Sequence, residues 1–286
     1  MPIPDTYLAR LVVPVVATAL VAVLVRLIGG RTEAARLASI AVPVGLIAGY
    51  AVQPGWPWAP PTEAIDKLAW LALGGGLLGL AIDLGTRGRL LAILAALVWP
   101  AVGIAWLGGP DLLNGHGSNL YRFGEVSLVL GVLLVRLAQL SGDGLQGPVT
   151  ASVVAAGIAC LGLVSGEPGL ASIGLPLAAC GLGWLACNWP RRRFGFGAAG
   201  LLGGSGVALV LAGNAALLTP VNGTLVLVAL TALVLQPVVP AMARRVPALA
   251  SPALRPLATA VVVAVPSVVA ILIAWLAPGL VPPLYE

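Results

Sequence analysis

Charge is what this sequence has least of. Only 9% of its 286 residues are Asp, Glu, Lys or Arg, where a soluble domain carries about 25%. A water-soluble fold of this length must show much of its surface to solvent, so the shortage excludes a soluble globular protein. Histidine occurs once, which excludes a His-based metal site. The three cysteines, Cys160, Cys180 and Cys187, form no CxxC pair and fall in or at the ends of apolar segments. They read as small core residues with free thiols. P-loop, HExxH, GxSxG and dinucleotide signatures are missing, and no nucleophile-and-base pair is visible. No catalytic residue, metal or cofactor is therefore expected.

What is abundant is apolar. Hydrophobic residues make up 59% of the chain, with 37 Gly and 24 Pro set among them. In apolar runs, Gly and Pro signal close helix contacts and kinks rather than disorder. A spanning helix needs about 20 mostly apolar residues. Ten stretches qualify: 8–28, 37–52, 68–83, 90–107, 125–140, 149–165, 169–187, 197–218, 224–239 and 257–277. The expected fold is an all-α polytopic membrane protein of about ten transmembrane helices. The first stretch runs too far apolar for a cleavable signal and reads as a retained span. Only Gly166, Glu167 and Pro168 separate the sixth and seventh stretches, so those two must be antiparallel neighbours.

The basic residues divide unequally between the two sides of such a bundle. Odd-numbered loops hold Arg26, Arg31, Arg36, Arg87, Arg89, Arg136, Arg191, Arg192, Arg193, Arg244, Arg245 and Arg255; the other side holds Arg10, Lys67 and Arg122. The positive-inside rule then makes the odd loops cytoplasmic and puts both termini outside, in a bacterial inner membrane. The net charge of +5 sits in short loops between apolar runs, a pattern for anionic lipid and not for nucleic acid.

The two halves resemble each other. Residues 37–43 (LASIAVP) recur as 170–176 (LASIGLP), and 14–18 (PVVAT) as 148–152 (PVTAS). The run Gly74, Gly75, Gly76 lies opposite Gly203, Gly204, Ser205, Gly206; Pro100 lies opposite Pro237, and Ser127 opposite Ser267. All five matches fall in order, at nearly constant offset. A five-span unit is odd, so residues 1–141 and 142–286 would be two repeats of opposite topology. Inverted repeats give a transporter two related conformations around a midplane site.

That reading nominates substrate-binding residues. Pro100 and Pro237 each remove a backbone donor and free the carbonyl four residues earlier, on Ala96 and Leu233. Gln236 adds an amide beside the second break, and Asn214 lies in the eighth span at a place roughly equivalent to that of Asp83, which ends the third. Pro43 and Pro176 are expected helix kinks. The spacing of Asp83 and Arg87 predicts a local ion pair, and Arg136 is expected to snorkel to the cytoplasmic interface. On the outer side, Asp111, His116, Arg122 and Glu125 form a polar cluster in a Gly-rich stretch read as a solvated turn. GxxxG spacings at Gly75–Gly79, Gly162–Gly166 and Gly200–Gly204 predict close helix approach.

The ten-span, five-plus-five layout resembles the auxin-efflux-carrier and bile-acid-symporter group of folds. The likeness is of layout, with no residue carried over; it implies broken, crossing helices at spans four and nine. The drug/metabolite transporter layout is also five-plus-five, but its inward termini conflict with the charge bias. Expected partners are the lipid bilayer, a small-molecule or ion substrate, and membrane proteins or a second copy. A non-transporting membrane subunit or assembly scaffold is the competing reading, since the spans hold so few polar groups.

Overall fold

The structure is a computed structural model describing residues 5–52, 61, 64–85, 88–114, 117–140, 145–190, 193–245, 251 and 253–276. Eleven helices run through these residues: α1 Asp5–Leu37, α2 Ala41–Ala51, α3 Ala64–Leu84, α4 Gly88–Asn114, α5 Gly117–Leu140, α6 Gln146–Val164, α7 Pro168–Asn188, α8 Ala198–Leu217, α9 Gly223–Leu230, α10 Val238–Ala243 and α11 Leu254–Leu276. Single 3-10 turns lead into α2 (Ala38–Ile40) and extend α9 (Thr231–Leu233). The chain is helical with no strand among the described residues. Eight helices are long and apolar enough to cross a membrane, and Ala38–Ala51 and Gly223–Leu233 are shorter apolar helices.

Burial separates centre from rim. In α8, 89% of the hydrophobic stretch is buried, against 17% in α1 and 28% in α4 and α11. Exposed Leu, Val and Ile side chains line the outer faces of α1, α4, α5 and α11. In water such faces would be an aggregation hazard; in lipid they are the normal surface.

Glycine lets α8 occupy the centre. A Cβ on Gly79 of α3 would lie 2.3 Å from the Ala198 carbonyl oxygen, and one on Gly75 would lie 2.9 Å from that of Leu202. From the other side, a Cβ on Gly203 would lie 2.8 Å from the backbone of Ala72 and Gly76. The two backbones touch at van der Waals distance, the geometry the Gly75–Gly79 spacing predicts. Across Leu201–Gly206, α8 widens into a π-helical turn.

The α6–α7 hairpin closes as the sequence implies. Glu167 N–H donates to the Gly162 carbonyl at 2.7 Å, and Gly166 takes φ +82, a conformation that favours glycine. Between α7 and α8 the chain is held by buried Asn188. Its Oδ1 accepts from the Arg193 and Phe194 amides at 3.0 and 2.8 Å. Trp184 packs edge-on to Phe196 beneath this turn.

Candidate functional site

The stretch expected to form the ninth span is interrupted. Asn222 starts α9 as an N-cap, its Oδ1 accepting from the Thr224 amide at 2.9 Å. The α-helix lasts eight residues, tightens to a 3-10 turn at Thr231–Leu233, and gives way to a non-helical turn before α10. Pro237 explains the break: it has no N–H to offer the Leu233 carbonyl, and its ring crowds that carbonyl. Short-range bonds replace the ladder, with Val234 N donating to Thr231 O at 2.8 Å and Val238 N to Leu235 O at 3.0 Å.

Two polar groups attend the break. Arg136 of α5 reaches across to the Val234 carbonyl, its Nη2 donating at 3.4 Å. The guanidinium thus sits where the helix dipole of α9 ends negative, a favourable place for a cation. Gln236 is buried, and neither its Oε1 nor its Nε2 meets a hydrogen-bond partner among the described residues. A buried amide left unpaired costs about 1–3 kcal/mol per group.

Pro100 behaves differently. It lies inside the continuous helix α4, with Ala96 fully buried one turn earlier. The break in α4 falls instead at Gly109, with φ 61 and ψ −158, just before Pro110. Proline disfavours helical geometry in the residue before it, and Gly109 absorbs the bend. The expected crossing of two broken helices is therefore not found: α4 packs mainly on α5, α3 and α8, whereas α9 packs on α11, α8 and α6. Ala96 and Pro100 stand apart from Leu233, Gln236 and Pro237. Asn214 is buried near the far end of α8. Pro43 and Pro176 both lie within helices, Pro43 just after the 3-10 turn at Ala38–Ile40.

Asp83 has amide partners that the sequence reading did not include. Its carboxylate accepts from the Ala198 amide at 2.9 Å and from the Ala199 amide at 3.1 Å. Ser39 Oγ accepts from the Gly200 amide at 3.2 Å, and Leu201 N finds the Gly197 carbonyl at 3.0 Å. The three amides of the first turn, Ala198 to Gly200, are thereby met by side chains from α3 and from the 3-10 turn before α2, and Leu201 starts the intrahelical ladder. No local motif announces this, because Gly197 at the cap position has no side chain and the acceptors are remote in sequence. Arg87, the expected partner of Asp83, lies outside the described residues. A cavity of about 180 Å³ opens beside this junction, with Arg89, Gln139 and Phe196 in its wall.

A second cluster missed in the sequence surrounds the π-helical turn of α8. Trp99 lies between Gly75 and Gly206, whose Cβ positions fall 2.9 and 2.7 Å from its ring. Its Nε1 and the Ser205 Oγ are buried without a hydrogen-bond partner among the described residues. The same holds for Ser127 and Ser267. The polar cluster Asp111, His116, Arg122 and Glu125 is not a turn throughout. Arg122 and Glu125 stand one turn apart on α5, which begins at Gly117; His116 and the Asp111 side chain lie outside the described residues. No known protein family, curated protein or solved structure matches the chain.

Proposed function

We propose that this chain is a ten-span inner-membrane transporter or permease for a small molecule or ion, built from two five-span repeats of opposite topology. The observation that carries the reading is Gln236: an unpaired, buried amide beside a proline-broken membrane helix. Broken helices expose backbone carbonyls at membrane depth, which are tolerated only where protein, water or a ligand meets them.

Matched helix contacts support the duplication. A Cβ on Gly45 of α2 would strike the Thr18 hydroxyl of α1, and a Cβ on Gly181 of α7 would strike the Ser152 hydroxyl of α6. Thr18 and Ser152 are partners in the sequence repeat, as are the prolines one turn before them. The α3 and α8 glycines, also repeat partners, meet each other where an in-plane axis would pass. The halves have since diverged: α6 is 67% buried against 17% for α1, and α8 89% against 44% for α3. In this reading the second half forms the core and the first half wraps it. The arginine-bearing loops face the cytoplasm and both termini lie outside.

A non-transporting subunit or assembly scaffold is the second reading. It is favoured by the tight centre, where the cavity beside Ser205 and Gly204 holds only about 10 Å³. Neither Pro100 nor Pro237 lines the two larger described cavities.

Aqueous access at Gln236 separates the two. The experiment places Gln236→Cys in a variant lacking Cys160, Cys180 and Cys187, then treats sealed vesicles of each orientation with a charged methanethiosulfonate. Transport expects labelling from at least one side. A thiol that stays unreactive from both sides, in protein that remains monodisperse, removes the transport reading and leaves the scaffold.

A further inference from the structure

A cavity of about 380 Å³ lies between α5, α8 and α9, reaching along α9 as far as Leu230 but not lined by Gln236 or Pro237. Its wall is almost wholly aliphatic: Val129 and Leu130 from α5, Ala212 and Ala216 from α8, and Val226 and Leu230 from α9. On α8 the short side chains of Ala212 and Ala216 line the space, while Gly213 lets Ile104 and Leu130 pack closely against the helix. Two of its lining residues, Val129, which is 45% exposed, and Leu227, lie at the surface of the bundle. One charged side chain lines it: Glu125, exposed at the cavity and near the start of the apolar stretch Leu120–Leu140. No described residue pairs with Glu125 through a hydrogen bond or ion pair. Arg122, one turn earlier on α5, is engaged by other partners.

Apolar walls of this volume with a single placed polar group are the usual makeup of a small-molecule site. An ionisable residue in a membrane span is costly and calls for a counter-charge. A plain acyl chain would fill the walls and leave the carboxylate unanswered. An anion would be repelled. We infer that this cavity binds a lipophilic organic cation, with its apolar body between α5, α8 and α9 and its positive centre at the Glu125 carboxylate. The ligand enters laterally from the bilayer. This site is distinct from the Gln236 break and requires only binding, so it stands or falls separately from transport.

Tetraphenylphosphonium and tetraphenylborate have the same shape and opposite charge, which makes them the decisive pair. Purified protein in nanodiscs, with empty nanodiscs as the blank, is titrated with each ion by equilibrium dialysis. The cation is expected to bind saturably, with the anion at least about tenfold weaker, a difference of about 1.4 kcal/mol. Glu125→Gln should weaken the cation roughly fivefold or more while Glu125→Asp retains most of it. Ala216→Phe, which fills the cavity, should abolish binding. Each variant is checked for an unchanged melting temperature. Equal binding of both ions, or cation binding indifferent to Glu125→Gln in folded protein, would overturn the assignment and mark the cavity as a lipid crevice.

Discussion

The carboxylate of Asp83, near the end of α3, caps the first turn of α8 through the amide of Ala198, 2.9 Å away. The two residues are far apart in sequence, and the bond joins the rim of the bundle to its most enclosed helix. A second amide, that of Ala199, shares the same carboxylate.

Asp83→Ala should therefore cost stability out of proportion to the half-buried position of the side chain. Two amides at the start of an enclosed helix lose a charged acceptor, for a loss of about 2–3 kcal/mol. Asp83→Asn keeps one acceptor oxygen and should lose about half as much. Thermal unfolding in detergent, read by tryptophan fluorescence, checks the order wild type, Asn, Ala. Equal melting temperatures would show that the cap contributes nothing.

Gly79→Leu should prevent α3 from seating on α8, because the first added carbon already falls 2.3 Å from a backbone oxygen. Backbone cannot step aside as a side chain can, so the cost should reach at least the ~1–3 kcal/mol of an overpacked core. Gly124→Ala is the control: nothing lies within 4 Å of its added carbon, and alanine favours the helix. Yield of monodisperse protein and melting temperature should fall for the first and hold or rise for the second. Matching behaviour of the two variants contradicts the close approach.

Orientation is open to direct measurement. Alkaline phosphatase or fluorescent-protein fusions after Arg193 and after Asn222 should report opposite sides, the first cytoplasmic and the second external. A cytoplasmic signal at Asn222 would invert the topology.

Eight long apolar helices are legible in the sequence because a membrane-crossing segment needs a length and a polarity that few other constraints imitate; the second and ninth expected stretches form only shorter apolar helices. The α6–α7 hairpin is legible because three residues leave one way to connect two spans. The break at Pro237 is legible because proline lacks a donor wherever it stands. What escapes is tertiary. Whether a proline breaks its helix depends on surroundings, so Pro100 is absorbed in α4 while Gly109 bends. The partner of Asp83 escapes because remote backbone amides leave no mark in sequence. The role of Glu125 escapes because a cavity belongs to three helices at once, and a Gly-rich stretch conceals that α5 has already begun.

In the proposed ten-span topology, the shortness of the interrupted stretch at α9 reaches beyond the protein itself. Its eight α-helical and three 3-10 residues rise only about 18 Å, against a hydrocarbon slab of about 30 Å. Val234 and Val238 at the break are 51% and 39% exposed, so in that topology the turn would face lipid. Acyl chains on that flank must splay and shorten to meet the polar turn, pinching the bilayer locally. Stability should consequently follow lipid chain length, with shorter-chain lipids suiting this flank better than longer ones.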